Sequence, residues 1–419
     1  MRKFENMNGT MMIGGASAVE LAERYGTPLY VTDEDAVREN YRRIRDAFKP
    51  YVPVRVHFAC KANWALAILR ILCQEGSHID AVSVNEVDAC LRAGFPPERI
   101  LYTGVSVSTE ELYQVASRGV KINLDSFSEM RRLAEMTTDV QVSFRVNPGV
   151  GAGHHAHVVT GAKTTKFGIP REQIVEAYDE ALEHGFMPFG IHAHIGAGVQ
   201  DVAPFAEVTD VLVQIANELE DKIGLKLKVI DIGGGVGIPY RPEEKAMDVD
   251  LYAKEVSARI EGRCSADTVA IEPGRYIIAD TTVLLARVND VKETPERKFV
   301  GIDAGFNTLV RPAFYGSYHH IAVANKFEAQ GEQIYDVVGP LCESGDFIGR
   351  DRMLPRVEEG DLLAVYDAGA YGFSMSSNYN MRTRCREVLT HEGDAYLIRE
   401  AESLNDLLRH ERIPARLMI

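Results

Sequence analysis

The chain has 419 residues, of which 46% are hydrophobic and 26% charged, so it has the composition of a globular protein with a large core and not of a disordered one. Its formal net charge of −15 disfavours nucleic acid or an anionic membrane as a partner, and no basic patch offsets that charge. The chain lacks a signal-peptide pattern and a long apolar window, and its six cysteines form no C-x-x-C pair, so we expect a cytoplasmic protein with reduced thiols.

The predicted elements begin near residue 30 with a strand-like run, "TPLYVTD", which we expect to join a later β region. A helix, "EDAVRENYRRIRDAF", follows. Eight short β-rich runs then alternate with helical patterns up to about residue 275, which is the arrangement of a (β/α)8 barrel. The runs are "VRVHFACKA", "HIDAVS", "ILYTG", "KINLDS", "VQVSFRVNPG", "MPFGIHAHIG", "LKVIDIGGG" and "TVAIEPGR". A doubly wound open sheet is the alternative.

After residue 275 the pattern changes to closely spaced strand signals, with a helical segment only at the tail, "ESLNDLLRHER". The strand signals are "TVLLARVNDVKE", "RKFVGIDAG", "EQIYDVVGPL", "DLLAVYDAGAY" and "AYLIRE". We therefore predict an α/β protein with a TIM-type barrel over residues 34–279. A β-sandwich-like or barrel-like all-β domain would combine residues 1–33 with 280–419.

Active sites of such barrels lie at the C-terminal ends of the strands, and these positions carry reactive side chains here. The first strand ends at Lys61, which burial would deprive of its charge and turn into an amine nucleophile. A surface lysine is the alternative. The sixth strand ends with His192 and His194, on one face of a strand. They favour one core ring and one active-site ring over a metal pair, because no third ligand follows.

The loops after the seventh and eighth strands carry anion-binding features. Gly233, Gly234 and Gly235 allow backbone N–H groups to approach an anion, and Glu272, Pro273, Gly274 and Arg275 follow the eighth strand. Barrels often hold a phosphate at this position. Together with Lys61, these loops predict a cofactor that carries both an aldehyde and a phosphate. The run "HHAH" at 154–157 is interpreted as a substrate or structural loop.

These residues resemble the fold type III pyridoxal-phosphate decarboxylases, and among them the branch that acts on meso-diaminopimelate. The resemblance extends over essentially the whole chain. It is carried, in order, by "FACKAN", "AVSVNEVDACLRAG", "RVNPG", "TGAKTTKFGI", "HAHIG", "DIGGGVGIPY", "EPGR", "DAGFNTLVRPAFYGSYH", "GPLCESGD" and "GAYGFSMSSNYN".

The resemblance implies a role for each matching position. Pyridoxal 5'-phosphate would be held covalently by Lys61, stacked under His194 and paired at its ring nitrogen with Glu272. Its other contacts would be Gly234, Gly235, Pro273, Gly274, Arg275 and Tyr371. Substrate would be held by Arg275, Arg311, Tyr315, Glu343 and Tyr371. Cys342 would protonate the product carbon, and it would act with Glu343 in the site of the other subunit of a homodimer.

The implied reaction is decarboxylation of meso-2,6-diaminopimelate to L-lysine and carbon dioxide, the last step of lysine biosynthesis. A related decarboxylase of ornithine, arginine, carboxynorspermidine or a carrier-linked amino acid is the main alternative. Arg311 with Glu343 favours a substrate whose far end carries both a carboxylate and an ammonium group. Glu272 argues against a racemase, and the presence of Lys61 and Cys342 argues against a non-catalytic homologue.

Two positions depart from the family pattern. Ala197 follows "HIG" where a serine is usual, so one hydroxyl contact to the cofactor phosphate is expected to be missing. The sequence "MRTR" follows "SSNYN" where serine-arginine, often with a proline, is usual. Neither change removes a residue that is expected to do chemistry.

Overall fold

The computed structural model describes residues 3–149 and 165–418, and the chain divides into two compact units. One unit, here called the barrel unit, is Val37–Ile278. The other, the β unit, combines the chain up to Ala36 with the chain from Ala279 onward. The boundaries predicted from the sequence are residues 34 and 279.

The N-terminal segment contributes four strands and a helix to the β unit. These are β1 Glu5–Met7, β2 Thr10–Ile13, β3 Ala16–Ser17, α1 Ala18–Tyr25 and β4 Leu29–Asp33. The first three strands form a small antiparallel sheet. The helix begins after Ser17, whose hydroxyl accepts a hydrogen bond from the Glu20 N–H, and it ends at Gly26.

Eight parallel strands form the barrel, and a ninth short strand pairs beside it. The strands are β5 Val54–Ala59, β6 His78–Ala81, β7 Ile100–Tyr102, β8 Lys121–Leu124, β9 Gln141–Asn147, β10 Ile169–Pro170, β11 Met187–His192, β12 Val229–Asp231 and β13 Thr268–Ile271. The order runs β9, β11, β12, β13, β5, β6, β7, β8, and β8 pairs with β9. That last pairing closes the sheet, so the predicted barrel is confirmed and the open-sheet alternative is wrong.

The helices that accompany the strands are α2 Glu34–Phe48, α3 Leu66–Gln74, α4 Val84–Ala93, α5 Thr109–Ala116, α6 Phe127–Ala134, α7 Ile174–Glu183, α8 Ala203–Ile223, α9 Val249–Ile260 and α10 Arg275–Ile278. Three of them begin with the same serine-x-x-glutamate sequence, in which the serine hydroxyl accepts from the N–H of the glutamate. The pairs are Ser83 with Glu86, Ser108 with Glu111 and Ser126 with Glu129. These caps fix where each helix leaves the loop that follows a strand.

The C-terminal part of the β unit adds eight strands and two short helices. They are β14 Thr282–Glu293, β15 Lys298–Ile302, α11 Arg311–Tyr315, β16 Ile321–Val323, β17 Gln333–Val338, β18 Phe347–Leu354, β19 Leu362–Val365, β20 Arg386–His391, β21 Asp394–Arg399 and α12 Leu404–Leu408. The main sheet has the order β18, β17, β15, β14, β4, β20, β21, and β19 pairs with both β14 and β16.

The N-terminal strand β4 lies in the middle of this sheet, antiparallel to β14 and parallel to β20. The prediction that "TPLYVTD" joins the later β region is therefore confirmed. Leu29 and Val31 of β4 pack with Val283 and Leu285 of β14 and with Val388 of β20, all fully buried. Burial of these apolar side chains stabilises the packing of the N-terminal segment with the C-terminal part of the β unit.

Among the described residues, no helix combines the length and apolar character needed to cross a membrane. All six cysteines are free thiols.

Candidate functional site

Lys61 lies in a single 3₁₀ turn, Cys60–Ala62, directly after β5. Its amine is therefore at the C-terminal end of the barrel strands. Its Nζ lies 2.5 Å from Oδ2 of Asp80, a buried carboxylate in β6. The Lys61 side chain is 40% exposed, so the prediction that burial removes its charge is wrong. The ammonium group is paired with a buried carboxylate instead, which favours its charged form.

The loop Gly233–Gly235 follows β12 and requires glycine on steric grounds. Gly233 has φ +69° and Gly235 has φ +112°, conformations that L side chains rarely adopt. A Cβ atom on Gly233 would lie 2.5 Å from the Ala193 carbonyl oxygen, and one on Gly235 would lie 2.6 Å from the Gly196 carbonyl oxygen. The loop after β11 thus packs directly against this loop, and only glycines permit such an approach.

His194 lies in the loop after β11 and contacts the glycine loop. Its Nδ1 accepts a hydrogen bond from the Gly234 N–H at 3.1 Å. Burial, together with the positive charges of Arg145 and Lys61, holds the pKa of His194 well below its usual range. The imidazole ring is therefore neutral, and the hydrogen bond from the Gly234 N–H fixes its orientation. A neutral planar ring held in one orientation is suited to stack on an aromatic cofactor.

Glu272 follows β13 and is almost completely buried. The Nε2 atom of His192 lies 3.3 Å from both of its carboxylate oxygens. Of these oxygens, Oε1 has no hydrogen-bond partner within the described part of the chain. A buried carboxylate with an unused acceptor can bind a protonated ring nitrogen. His192 also resolves the predicted choice for this pair of histidines, because it is the buried core ring.

Gly274 and Arg275 continue from Glu272 towards the ends of neighbouring strands. A Cβ atom on Gly274 would lie 3.0 Å from the Cβ atoms of both Ala59 and Ala62, which flank Lys61. Arg275 begins α10, and its Nη1 donates a hydrogen bond of 2.5 Å to the Tyr240 hydroxyl. Pro273, between Glu272 and Gly274, is buried. The "EPGR" run is therefore packed against the turn that carries Lys61.

A second histidine and carboxylate lie close to Glu272. The Nδ1 atom of His57 is 3.3 Å from Oδ2 of Asp231, although the two are not aligned for a hydrogen bond. Ligand atoms of His57, Asp231 and Glu272 all lie within 4.8 Å of one another. Among the described residues this is the group whose spacing could hold a metal ion, and it includes neither His192 nor His194.

These barrel residues fit pyridoxal phosphate. The glycine loop offers close backbone approach to a phosphate, Lys61 supplies the amine for the aldehyde, and Glu272 has a buried acceptor for the ring nitrogen. The structure brings together Lys61, His194, Gly234, Gly235, Glu272, Pro273, Gly274 and Arg275 within the barrel unit, at the C-terminal ends of its strands or in the loops that follow them.

Arg311 and Tyr315 lie at the two ends of the short helix α11 in the β unit. Arg311 is buried, and its Nη1 donates to Nε2 of His319 at 3.0 Å. His319 is fully buried and its Nδ1 donates to the Tyr366 carbonyl oxygen at 2.8 Å, which fixes the tautomer. The arginine is thus held in one position by a histidine for which the family resemblance implied no role.

Cys342 and Glu343 are exposed in the loop between β17 and β18. Asn380 donates through Nδ2 to the Cys342 thiol at 3.3 Å, and Tyr379 donates to a Glu343 carboxylate oxygen. This hydrogen bond to Glu343 is the largest cause that raises the pKa of Tyr379 to about 12. Both neighbours come from "SSNYN", so that motif shapes the surroundings of the thiol and the carboxylate.

The turn that carries Cys342 and Glu343 is stabilised by hydrogen bonds to Asp346. Its two carboxylate oxygens accept from the N–H groups of Phe306, at 2.7 Å, and Leu341, at 2.8 Å. Burial raises the pKa of Asp346, and the two N–H groups oppose that shift. The Asp346 N–H in turn donates to the Glu343 carbonyl oxygen at 3.1 Å. A buried carboxylate therefore anchors the exposed turn.

Tyr371 lies in the loop after β19, with φ +60°, in the left-handed region. A non-glycine residue in this region costs about 1 kcal/mol or more, and such positions cluster at functional sites. The loop is attached within the β unit by hydrogen bonds from the Ala368 N–H to the Thr282 oxygen and from the Gly369 N–H to the Ala279 oxygen. Its strained conformation agrees with a functional role for Tyr371.

Several residues of the site were not predicted. Asp80 is the penultimate residue of β6, "HIDA", and a charged residue near the end of a buried strand was the available signal. Asp231 and His319 lie within the runs "DIGGGVGIPY" and "DAGFNTLVRPAFYGSYH" but were given no role. His57 gave no signal beyond a polar residue in an apolar run. Ala197 lies in the loop after β11 as expected, whereas the predicted "HHAH" loop at 154–157 lies outside the described residues.

The chain is similar in sequence to known decarboxylases. The profile of the family described as "Pyridoxal-dependent decarboxylase, pyridoxal binding domain" matches residues 34–279. A diaminopimelate decarboxylase of Methanothermobacter thermautotrophicus is 50% identical, with 99% of this chain and 98% of the relative covered. One from Archaeoglobus fulgidus is 43% identical, with 99% and 100% covered.

A solved structure is similarly close. The crystal structure of diaminopimelate decarboxylase from M. jannaschii in co-complex with L-lysine is 37% identical to this chain. It superimposes with a TM-score of 0.93, and 99% of each chain is covered. Both units therefore have counterparts in that structure.

Proposed function

This chain belongs to the pyridoxal-dependent decarboxylase family, and from that membership we propose that it converts meso-2,6-diaminopimelate to L-lysine and carbon dioxide. It is an amino-acid decarboxylase, a carbon–carbon lyase that requires pyridoxal 5'-phosphate. Its place is the last step of lysine biosynthesis. The observation that carries the proposal is the 50% identity to a diaminopimelate decarboxylase over 99% of the chain.

The barrel unit is proposed to hold the cofactor. Lys61 is the amine that would bind the aldehyde, the glycine loop would contact the phosphate, and His194 would lie on the ring. Bound pyridoxal phosphate supplies a conjugated ring that takes up the electron pair left when carbon dioxide departs. Glu272 presents a carboxylate to the ring nitrogen and keeps a proton on it. Asp80 would receive the ammonium charge of Lys61 whenever that amine is released.

The β unit is proposed to supply the contacts that select the substrate. Arg311 is buried and held by His319, so its guanidinium group is fixed before substrate arrives, which favours a planar carboxylate. Tyr315, Tyr371 and Arg275 would complete the contacts to the carboxylate and the phosphate. A substrate such as ornithine has no second carboxylate for Arg311, and this distinguishes the proposed substrate from that alternative.

Cys342 and Glu343 are proposed to act together, the thiol as the proton donor to the product carbon and the carboxylate as the partner of the distal ammonium group. A thiol carries a proton that it can donate to a carbon atom as a general acid. Since both residues are exposed on the β unit of one chain, we propose a homodimer in which each chain completes the site of the other. The enzyme would act in the cytoplasm.

The substrate is tested by product identification. Purified protein with pyridoxal phosphate is incubated separately with meso-diaminopimelate, ornithine and arginine. We expect L-lysine and carbon dioxide from meso-diaminopimelate and no product from the other two. The variant Lys61→Ala should give none from any of them. Absence of lysine from the wild-type reaction would refute the proposed function.

Shared sites are tested by mixing two inactive variants. A Lys61→Ala chain mixed with a Cys342→Ala chain should regain about a quarter of wild-type activity, because half of the dimers would carry one intact site of two. Cys264→Ala, at a half-buried thiol of the barrel unit, is the matched control and should leave activity unchanged. No recovery despite heterodimers detected by mass spectrometry would rule out shared sites.

A further inference from the structure

Two histidines and two carboxylates lie side by side inside the barrel. They come from neighbouring strands in the order β11, β12, β13 and β5: His192 ends β11, Asp231 ends β12, Glu272 follows β13, and His57 is in β5. His192 and Asp231 are also direct register partners. All four residues are at most 5% exposed, so water screens their charges little.

The two carboxylates are close to each other. Ligand atoms of Asp231 and Glu272 lie within 4.8 Å, and neither Oδ2 of Asp231 nor Oε1 of Glu272 has a hydrogen-bond partner within the described ranges. Buried carboxylates at this distance repel each other and tend to share one proton between them. A shared proton would leave Glu272 partly neutral, and a neutral carboxyl group could not keep the ring nitrogen of the cofactor protonated.

The two histidines oppose the sharing of a proton between the carboxylates, because each histidine lies next to one of them. His192 Nε2 lies 3.3 Å from both oxygens of Glu272, so one N–H faces the whole carboxylate group. His57 Nδ1 lies 3.3 Å from Oδ2 of Asp231. Burial lowers the pKa of His192, but the charges of Glu272 and Asp231 outweigh it and the net shift is upward, with Arg145 acting against it.

Asp231 has a second task that fixes where it lies. Its Oδ1 accepts from the Gly233 N–H at 2.9 Å and so shapes the glycine loop proposed to bind the phosphate. Asp231 therefore cannot move away from Glu272 without disturbing that loop. The repulsion between the two carboxylates must be offset in place. The two histidines lie within 3.3 Å of the carboxylate oxygens, and the charge of the buried Arg145 also acts on Glu272.

We propose that His192, supported by His57, is a positioning residue that keeps Glu272 and Asp231 separately ionised, so that Glu272 presents a full negative charge to the ring nitrogen of the cofactor. The inference depends on the role proposed for Glu272, and it assigns a role to His192 and His57, for which the family resemblance implied none. His192 touches neither substrate nor cofactor in this scheme; it acts through Glu272.

The test first removes the N–H donor of His192 and then removes the negative charge of Asp231. His192→Phe keeps a ring but no N–H, whereas His192→Gln retains an amide donor and is the matched control. Asp231→Asn keeps the Oδ1 acceptor for Gly233 and removes the second negative charge. The readout is the ¹⁵N chemical shift of cofactor labelled at its ring nitrogen and bound to each holoenzyme, which reports ring protonation without turnover. Values of kcat and KM are measured alongside.

We expect His192→Phe to lower the protonated fraction of the ring nitrogen and to reduce kcat about tenfold, the effect of one unit in proton affinity, with KM little changed. His192→Gln should stay near wild type, and Asp231→Asn alone is the reference with which the double variant is compared. The double variant His192→Phe/Asp231→Asn should regain ring protonation and most of kcat. A residue that only fills space would not be rescued by removal of a charge on the neighbouring strand.

Three results would overturn the proposal: unchanged ring protonation in His192→Phe, a double variant no better than the single one, or a stoichiometric metal ion in the purified wild type that balances the charges instead. If His192→Phe does not fold, His192→Asn, which is too short to reach Glu272, replaces it. Failure of the wild type to make lysine while its bound cofactor is protonated would refute the proposed function and leave this inference standing.

Discussion

The anchored turn of Cys342 and Glu343 gives a prediction that separates stability from activity. Asp346→Ala removes the carboxylate that accepts from the N–H groups of Phe306 and Leu341. Each buried N–H left without an acceptor costs about 1–3 kcal/mol, so the free energy of unfolding should fall by about 2–6 kcal/mol. Activity should fall further than the unfolded fraction explains, because the turn loses its anchor.

The matched control is Asp336→Ala. Asp336 is equally buried in the β unit, and its carboxylate accepts from the Asp351 N–H at 2.8 Å and from Arg297 at 3.1 Å, away from the turn. Its loss should cost a similar free energy in urea unfolding but leave kcat unchanged at temperatures where the protein is folded. Asp346→Asn should fall between, since an amide keeps one acceptor and turns a donor towards the other N–H.

The assays are urea unfolding, hydrogen exchange at the Phe306 and Leu341 amides, and steady-state lysine production. Faster exchange at those two amides with lower kcat is the expected result for Asp346→Ala. If Asp346→Ala keeps full kcat while it is destabilised as much as Asp336→Ala, the turn does not depend on its anchor and the reasoning fails.

Three further predictions concern the barrel unit. Ala197→Ser should tighten pyridoxal phosphate binding about fivefold, the worth of one added hydrogen bond of about 1 kcal/mol; a cofactor titration followed by fluorescence measures it, and unchanged affinity would mean that another group already fills that contact. Gly235→Ala should abolish cofactor absorbance, because its Cβ would meet a backbone oxygen at 2.6 Å, whereas Gly262→Ala, with φ +67° and open space around it, should bind cofactor normally. Burial, then the charge of His57, lowers the pKa of His78 to about 2. The His78 ring therefore stays neutral in the native protein at a pH where the unfolded chain binds a proton. The contribution of His78 to the free energy of unfolding is complete above pH 6.5. It is lost on acidification at about 1.4 kcal/mol per pH unit. Between pH 6.5 and 5 His78→Gln should lose about 2 kcal/mol less than wild type in urea unfolding, and equal losses would contradict the assigned pKa.

The barrel was predictable because its strands are buried on both faces and read as short apolar runs that end in polar or glycine residues. All eight predicted runs contain a barrel strand. Strand β18, by contrast, was missed, because its sequence "FIGRDRML" places charged side chains on the exposed face of an edge strand. Strand β20 was missed as well, since "REVLTH" begins with two charged residues, and only its position beside β4 explains why they lie in a sheet.

The site was predictable where a motif holds the residues together and unpredictable where distant residues meet. Lys61 was proposed from the sequence, but its pairing with Asp80 depends on the register of β5 against β6, which residue types alone do not determine. Arg311 was proposed from the sequence, whereas its contact with the ring of His319 is known only from the path of the chain after α11. The roles of these residues in catalysis remain predictions, which the experiments above address.

The pairing of β4 with β14 has a consequence for how the chain is assembled. The two strands are antiparallel and Thr32 is the register partner of Thr282, so they form the two arms of a hairpin. The connection between the arms is the whole barrel. Because the entropy cost of closing a connection grows only with the logarithm of its length, such an insertion is tolerated. A short turn joined between these two threonines would therefore make the β unit a continuous chain, which could be produced and studied without the barrel.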